Sequence, residues 1–384
     1  MDPRLRNRLA AGVILAAVLA FAFRVQRDMV DFTVNYKAGD RLLHGETLYR
    51  IEDGHYQFKY SPFCAILYLP LSLLPLAAAK GVWFGVVLGA MAVMIVLTRR
   101  LIGPSPPDGF RAAAALPPLV LARFFFRELD LGQINAVLTA ILLGMILLLA
   151  RDEERRNRRK SALAGVLWGT AVAMKPYAAI FLPYFLLKKK WNALWPGLLI
   201  LALSLVAPAM FYGFPGSLSV HLEWIGTLSK STPGLLSAQD NVSILAFLMK
   251  WTRNIEVSRL VYGGILLVLA FAVLAFILRG RRRAGSLTAE ASLLLLAIPL
   301  ISPLGWDYTF IASLPAVALV FARFRSFPPI VRVVLAVNFA VIGLSAFDLL
   351  GRDLFAGFMT ASILTLNFLL LGAGLFHLRF SGNA

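Results

Sequence analysis

Residues 79–98 read AKGVWFGVVLGAMAVMIVLT, apolar almost throughout apart from Lys80, and Arg99 and Arg100 follow at once. A run of this length that does not alternate is long enough to cross a hydrocarbon core of about 30 Å as a helix. Runs of similar length recur along the 384 residues, which are 59% hydrophobic and only 15% charged, with mean hydropathy +0.76. Soluble domains carry about 25% charged residues. A membrane β-barrel would alternate apolar and polar residues over segments of about 10, and these runs do not. The expected fold class is all-α: a polytopic transmembrane helical bundle.

The formal net charge of +18 is not spread evenly. Basic residues cluster at 4–8, 99–111, 151–160, 188–190, 279–283 and 323–332, with Arg379 near the end. Short basic clusters between apolar runs are the positive-inside pattern of a membrane protein. They also attract anionic lipid, so the bilayer is an expected partner. Nucleic acid is not expected, because no soluble basic domain or aromatic-basic module is visible.

If every cluster is cytoplasmic, each interval between clusters holds an even number of crossings. Expected spans are then 9–23, 79–98, 112–127, 131–150, 161–174 and 176–187 in the first half. In the second half they are 193–212, 257–278, 287–300, 307–322, 330–347 and 355–376, about twelve in all. Residues 62–75 and 241–251 read as shorter half-helices or interfacial pieces. The segment 9–23 follows Arg4, Arg6 and Arg8 but has no A-x-A cleavage site after it, so it reads as a retained first helix. Residues 1–384 are expected to form one membrane domain, with a long external loop at 24–62 and a second external segment at 213–255. The localisation that follows is a multi-pass plasma (inner) membrane protein.

The loop at 24–62, RVQRDMVDFTVNYKAGDRLLHGETLYRIEDGHYQFKYSP, is the polar exception, with acids and bases in near balance. A loop this long is usually functional or disordered, and its glycines and tyrosines favour order. Asp31 is the candidate general base, since partial burial beside a membrane raises a carboxylate toward the working range. The alternative reading is a solvated loop acid or a helix N-cap, the role of most loop aspartates.

Other polar residues map to the same, extracytoplasmic half: Arg123, Arg127, Glu128, Gln133, Asn135, Lys175, Asp240, Asn241, Ser302, Trp306 and Asp307. Ionisable residues at membrane depth default to a functional hypothesis. Arg123 and Arg127, four apart on one helical face, can clamp a phosphate or pair with Glu128 or Asp130. Lys175 lies in VAMKPYAAIFLPYF with no acid nearby in sequence; it suits a lipid phosphate, or snorkels to headgroups. Gln133 and Asn135 can bond hydroxyls or join neighbouring helices. Asp240-Asn241-Val242-Ser243 looks like a helix start, in which Asp240 or Asn241 caps. Trp306 is an interface-belt residue or a platform for a sugar face.

Cys64 is the only cysteine, and the four histidines do not fall at a metal-binding spacing. No cofactor is implied, although a divalent metal is not excluded. Nucleotide-phosphate loops and hydrolase or zinc-protease motifs do not appear, which argues against ATP-driven transport.

The ordered set of motifs resembles glycosyltransferase family 87. The motifs are DFTVNYKAG at 31–39, G-x-x-L-Y at 45–49, YSP at 60–62, LGQIN at 131–135, MKPYAAIFLPYFLLKKKW at 174–191, DNVSI at 240–244 and LISPLGWDYTF at 300–310. The resemblance implies a membrane enzyme of the GT-C class that takes a hexose, mannose in the mycobacterial members, from a polyprenyl phosphate at the extracytoplasmic face. It implies inverting transfer to a glycolipid or glycan acceptor, with the early Asp, here Asp31, as base. By the same matches Tyr60, Gln133, Asn135, Lys175, Asn241, Ser243, Trp306, Asp307 and Tyr308 are expected to bind substrate, with Arg123 and Arg127 as further cations. Family members often carry His after the WD-type acid, where this chain has Tyr308. The rival class is a transporter or flippase of a polyprenyl-linked sugar or other lipid; it should show internal repeats and ionisable groups reachable from both sides.

Overall fold

The computed structural model describes residues 20–25, 27–103, 115–155, 157–279 and 286–381. The expected first span at 9–23, apart from 20–23, lies outside the described residues. So do the basic clusters at 4–8 and, for the most part, at 99–111 and 279–283.

The chain is built of helices. After a helical stretch at 20–25, the described residues run through α1 (Val30–Leu43), α2 (Pro62–Ser72) and α3 (Leu76–Ile102). Next come the short α4 (Leu116–Val120), α5 (Ala122–Leu131), α6 (Asn135–Arg155) and α7 (Arg158–Met174). A 3-10 turn at Pro176–Phe181 leads into α8 (Leu182–Leu187), then α9 (Trp191–Val206) and α10 (Ala209–Leu235). The chain continues with α11 (Ile244–Thr252), α12 (Ile255–Arg279) and α13 (Ser286–Ile301). A further 3-10 turn, Asp307–Ser313, precedes α14 (Leu314–Ala322), and α15 (Pro329–Leu344), α16 (Phe347–Thr360) and α17 (Ile363–Ser381) follow.

By length and composition, α3, α12 and α17 can each cross a membrane alone. Two bent pairs pass the same test together: α9 with α10, bent by 88°, and α15 with α16, bent by 102°. The remaining apolar helices are shorter, so twelve full-length spans are not reached among the described residues by that measure. Prolines account for much of this. The break at Lys175-Pro176 falls where the sequence puts it, because proline lacks a backbone donor and disfavours helix in the residue before it. Pro208 sits at the 88° bend in the same way.

Three expected segments take a different form. The loop at 24–62 is not extended chain: a third of it is α1, whose apolar residues Phe32, Ala38 and Leu42 are buried. The second external segment is mostly the helix α10. After a kink at Gly213, its Phe214, Leu218 and Leu222, spaced four apart, form one exposed apolar stripe, while Trp224 on the other side donates from Nε1 to the Lys59 carbonyl at 3.1 Å. The expected span 355–376 is interrupted at Ala361 and Ser362, the latter at φ 54, and the crossing helix is α17.

Small residues set the closest helix contact. A Cβ on Gly165 of α7 would stand 1.9 Å from the Ala193 carbonyl oxygen of α9, so only glycine permits this approach. At one end of the bundle Glu290 accepts from Lys188 at 3.0 Å and from Arg379, both partners being buried or nearly so. The seventeen residues of α7 separate its basic start, Arg158 to Lys160, from Lys175 by about 25 Å at 1.5 Å per residue. The conspicuous polar residues gather at the Lys175 end.

Candidate active site

The site is built where α1 meets the turn between α5 and α6. Gly132 closes α5 in the left-handed region, φ 67, a conformation that favours glycine. A Cβ there would stand 2.6 Å from Phe32 Cβ. The Gly132 carbonyl accepts from Trp83 Nε1 at 2.8 Å, and Trp83 stacks on Phe32 at 5.8 Å between ring centroids. Met29 donates its backbone N–H to the Asp130 carbonyl at 3.1 Å. These contacts seat the first turn of α1, and with it Asp31, against Gln133.

Gln133 and Asn135 form a two-rung bridge at the head of α6. Gln133 Nε2 donates to Asp31 Oδ2 at 2.6 Å and to Tyr308 Oη at 3.1 Å. Its Oε1 accepts from Tyr60 at 3.0 Å and from Asn135 Nδ2 at 3.4 Å. Asn135 Oδ1 accepts from Lys175 Nζ at 2.7 Å and from Tyr177 at 3.0 Å. Glu128, fully buried, steadies this bridge by accepting from Asn135 Nδ2 at 2.9 Å and from the Ala136 N–H at 2.7 Å. Asp31 and Lys175 are thus held on neighbouring amides without touching each other's carboxylate or ammonium. Burial pushes the Asp31 carboxyl above its ordinary value, opposed first by the Gln133 hydrogen bond and then by the Lys175 and Arg127 charges.

Lys175 has no ion pair among the described residues. Its ammonium lies 5.0 Å from the Tyr60 ring centre and 5.7 Å from that of Tyr177, a setting that stabilises a cation without neutralising it. A cavity of about 460 Å³ opens above these groups. Asp31, Tyr60, Arg127, Gln133, Lys175, Trp306 and Tyr308 all line it, as do Asp240 and Ser302. The apolar part of the wall comes from Trp224, Leu228 and Leu235 of α10 and from Ile298, Pro299 and Leu304.

The remaining expected substrate contacts stand behind the wall. Asp307, with no exposed surface, accepts from Arg123 at 2.7 Å and Arg127 at 3.2 Å, and Arg127 also reaches Asp240. Arg123 is further bound to Ser345, through its carbonyl and, at 2.9 Å, its hydroxyl. The local pairing of Arg127 with Glu128 or Asp130 that the sequence allowed is replaced by pairing with acids more than a hundred residues away. Arg123 does not reach the cavity. Asn135 acts through Lys175 and Gln133, not at the cavity wall.

Asn241 and Ser243 are fully buried and are not among the residues that line the cavity. The helix cap of α11 is neither Asp240 nor Asn241 but Ser243, whose Oγ accepts from the Ala246 N–H at 3.0 Å. Asn241 instead ties two turns together: Nδ2 donates to the Pro303 carbonyl at 2.9 Å and Oδ1 accepts from the Gly305 N–H at 3.0 Å. A short antiparallel bridge pairs Asn241 with Trp306. This lacing carries Asp240, Trp306 and Tyr308 to the cavity.

Sequence reasoning did not single out Tyr177 or Lys59. Tyr177 closes the MKPY stretch at 174–177, and its position after Lys175-Pro176 is the available signal. Lys59 lines the cavity from the chain just before Tyr60, and a basic residue beside YSP was all that marked it. Among the described residues, no three His, Cys, Asp or Glu come together as a metal-ligand group.

The family model described as glycosyltransferase family 87 matches residues 58–303. This chain belongs to glycosyltransferase family 87. It is therefore a membrane glycosyltransferase, a hexosyl-transferring enzyme. The chain is 30% identical to a polyprenol-phosphate-mannose-dependent alpha-(1-2)-phosphatidylinositol mannoside mannosyltransferase of Mycolicibacterium smegmatis, with 83% of this chain and 76% of that protein covered. It is 28% identical to the Mycobacterium tuberculosis protein of the same description, with 81% and 74% covered. Among solved structures, apo ArnT from Cupriavidus metallidurans aligns over 95% of this chain and 78% of its own, at 16% identity and a TM-score of 0.39.

Proposed function

We propose that this family 87 enzyme transfers a hexose, mannose by analogy with its relatives, from a polyprenyl-phosphate donor to an extracytoplasmic glycolipid or glycan acceptor, with inversion. The observation that carries the reading is the Asp31–Gln133–Asn135–Lys175 bridge, which stations a carboxylate and an ammonium at one cavity while keeping them apart. Asp31 takes the proton of the acceptor hydroxyl as its oxygen bonds to the anomeric carbon. The bond from that carbon to the phosphate oxygen breaks, and polyprenyl phosphate departs as an anion. It needs positive charge, not a proton, and Lys175 supplies it, with Arg127 at the far wall. Tyr60, Trp306 and Tyr308 offer rings and hydroxyls to the sugar. The apolar wall of α10 and the end of α13 lies where the first prenyl units leave the cavity.

The mycobacterial relatives are described as using polyprenol-phosphate mannose, and those descriptions support the donor. The side of the membrane follows from the basic clusters. The enzyme sits in the plasma membrane with this cavity facing outward. Cys64 is buried, so a reporter at Tyr56→Cys should label with an impermeant maleimide from outside the cell; labelling only after permeabilisation would reverse the orientation. The decisive assay is transfer by purified protein from a panel of polyprenyl-phosphate sugars, run beside Asp31→Asn. Turnover with the mannose donor that disappears in the variant is expected. A variant as active as wild type would remove Asp31 from the role of base.

A further inference from the structure

A second cavity of about 410 Å³ runs along α1 next to the first. Val30, Thr33, Val34, Lys37 and Arg41 line it, which is one helical stripe at steps of three and four. Asp28, Asp53 and Tyr56 complete it. Val30, Val34 and Tyr56 line both cavities, so the two meet at the turn of α1 that carries Asp31. Lys175 lines the first cavity but not this one, and the Gln133–Asn135 bridge stands between it and Asp31.

We infer that the groove along α1 is the acceptor subsite and that it takes a saccharide. This rests on the glycosyl-transfer reading above. In an inverting displacement the acceptor oxygen and the leaving phosphate stand on opposite faces of the anomeric carbon. With the phosphate end at Lys175, the acceptor comes in past Asp31 from the side away from Lys175, and that side opens into this groove.

The lining suits a neutral polyhydroxyl ligand. Arg41 and Asp53 are paired at 2.5 Å and 2.9 Å between their forked ends, which leaves the outer edges of that pair to hydroxyls. Asp28 and Lys37 add one acceptor and one donor group of opposite charge, so the groove carries no net charge to favour a phosphate. Tyr56, largely exposed, presents a ring at the junction, the surface that packs against a sugar face. The pair also fixes the groove's far wall: it ties the end of α1 to the 3-10 turn at Ile51–Tyr56.

The test is equilibrium binding to protein in lipid nanodiscs, which needs no turnover. Three probes are used: phosphatidylinositol mannoside, the soluble disaccharide mannobiose, and polyprenyl phosphate. Thr33→Trp and Lys37→Trp fill the groove from positions outside the first cavity. At least tenfold weaker binding of a saccharide probe, with polyprenyl phosphate binding within twofold of wild type, is expected. A loss confined to the lipid-borne probe assigns the groove to a glycolipid, and loss with mannobiose as well assigns it to the glycan itself. Unchanged binding of both saccharide probes overturns the inference, as does weaker binding of polyprenyl phosphate. If wild type fails to transfer from every donor yet binds saccharide in this groove-dependent way, the catalytic reading fails and the subsite stands.

Discussion

Gln133 donates from Nε2 to Oδ2 of Asp31 at 2.6 Å, and among the described residues no hydrogen bond occupies the other carboxylate oxygen. One oxygen is thereby fixed and the second is left for a substrate hydroxyl. Asn135, two residues on, does the corresponding work for Lys175.

Replacing Asp31 with Asn keeps the shape and the acceptor oxygen for Gln133 but removes the proposed base. Turnover should fall by about 10²–10⁴, the usual contribution of a positioned general base. The raised carboxyl means the folded protein binds the Asp31 proton more tightly than the unfolded chain does. That stability is present below the unfolded value and lost as pH rises through the folded one. At neutral pH the Asn variant should therefore melt no lower than wild type, as read by thermal denaturation in detergent. A large drop would mean that the carboxylate is structural.

Gln133→Leu removes the bond that holds the Asp31 value down. The acid limb of kcat/KM, where activity is lost as the base protonates, should move to higher pH. A pH–rate profile checks this, and an unmoved limb would assign the limb to another group.

Lys175→Met removes the cation from its place between two tyrosine rings. Hydrogen bonds to charged groups are worth about 1.5–3 kcal/mol, so inhibition by polyprenyl phosphate should weaken by roughly 10-fold to 150-fold. Competition assays with the free lipid phosphate measure it. The acceptor KM should stay near wild type.

Asp307→Ala takes the shared acid from two arginines: Arg127 keeps Asp240, while Arg123, almost wholly buried, loses its ion-pair partner. Breaking a buried pair from one side costs about 3–5 kcal/mol. Asp240 is 37% exposed, so Asp240→Ala should cost much less, in the range of surface pairs at about 0–1 kcal/mol. Melting temperatures of the two variants should differ in that order.

Gly132→Ala tests the seat of α1. The added methyl collides with Phe32 Cβ in a backbone region where it is already disfavoured. Activity should fall even though no cavity-lining side chain has been altered, while binding of maleimide to the buried Cys64 reports whether the core has opened.

The apolar runs and the breaks at prolines could be read from the sequence, because each is a local pattern, and polar residues marked in it at separate turns meet around one cavity. The pairing of Arg127 with Asp240 and Asp307 could not, since those partners come from separate turns brought together by tertiary packing. The same holds for Asn241, whose motif DNVSI reads as a helix start but whose amide laces Pro303 and Gly305. Ser243, the actual cap, stood two positions further on in that motif. The helix within 24–62 was hidden by its charged face: only Phe32, Ala38 and Leu42 mark the buried side, and α1 finds that side only once Trp83 and the Gly132 turn are in place.

Because Gln133 and Asn135 hang from one two-residue step of a single chain, the gap between Asp31 and Lys175, the proposed proton acceptor and phosphate partner, is a ruler cut into the backbone. Motion of α1 or of the Lys175 segment can tilt what the ruler measures but cannot reset its length. Sugars that differ in ring substituents meet the same interval, so discrimination among them falls to the walls at Trp306, Tyr308 and Tyr60. Changing which hexose is taken should then be achievable by altering those walls while the bridge is left alone.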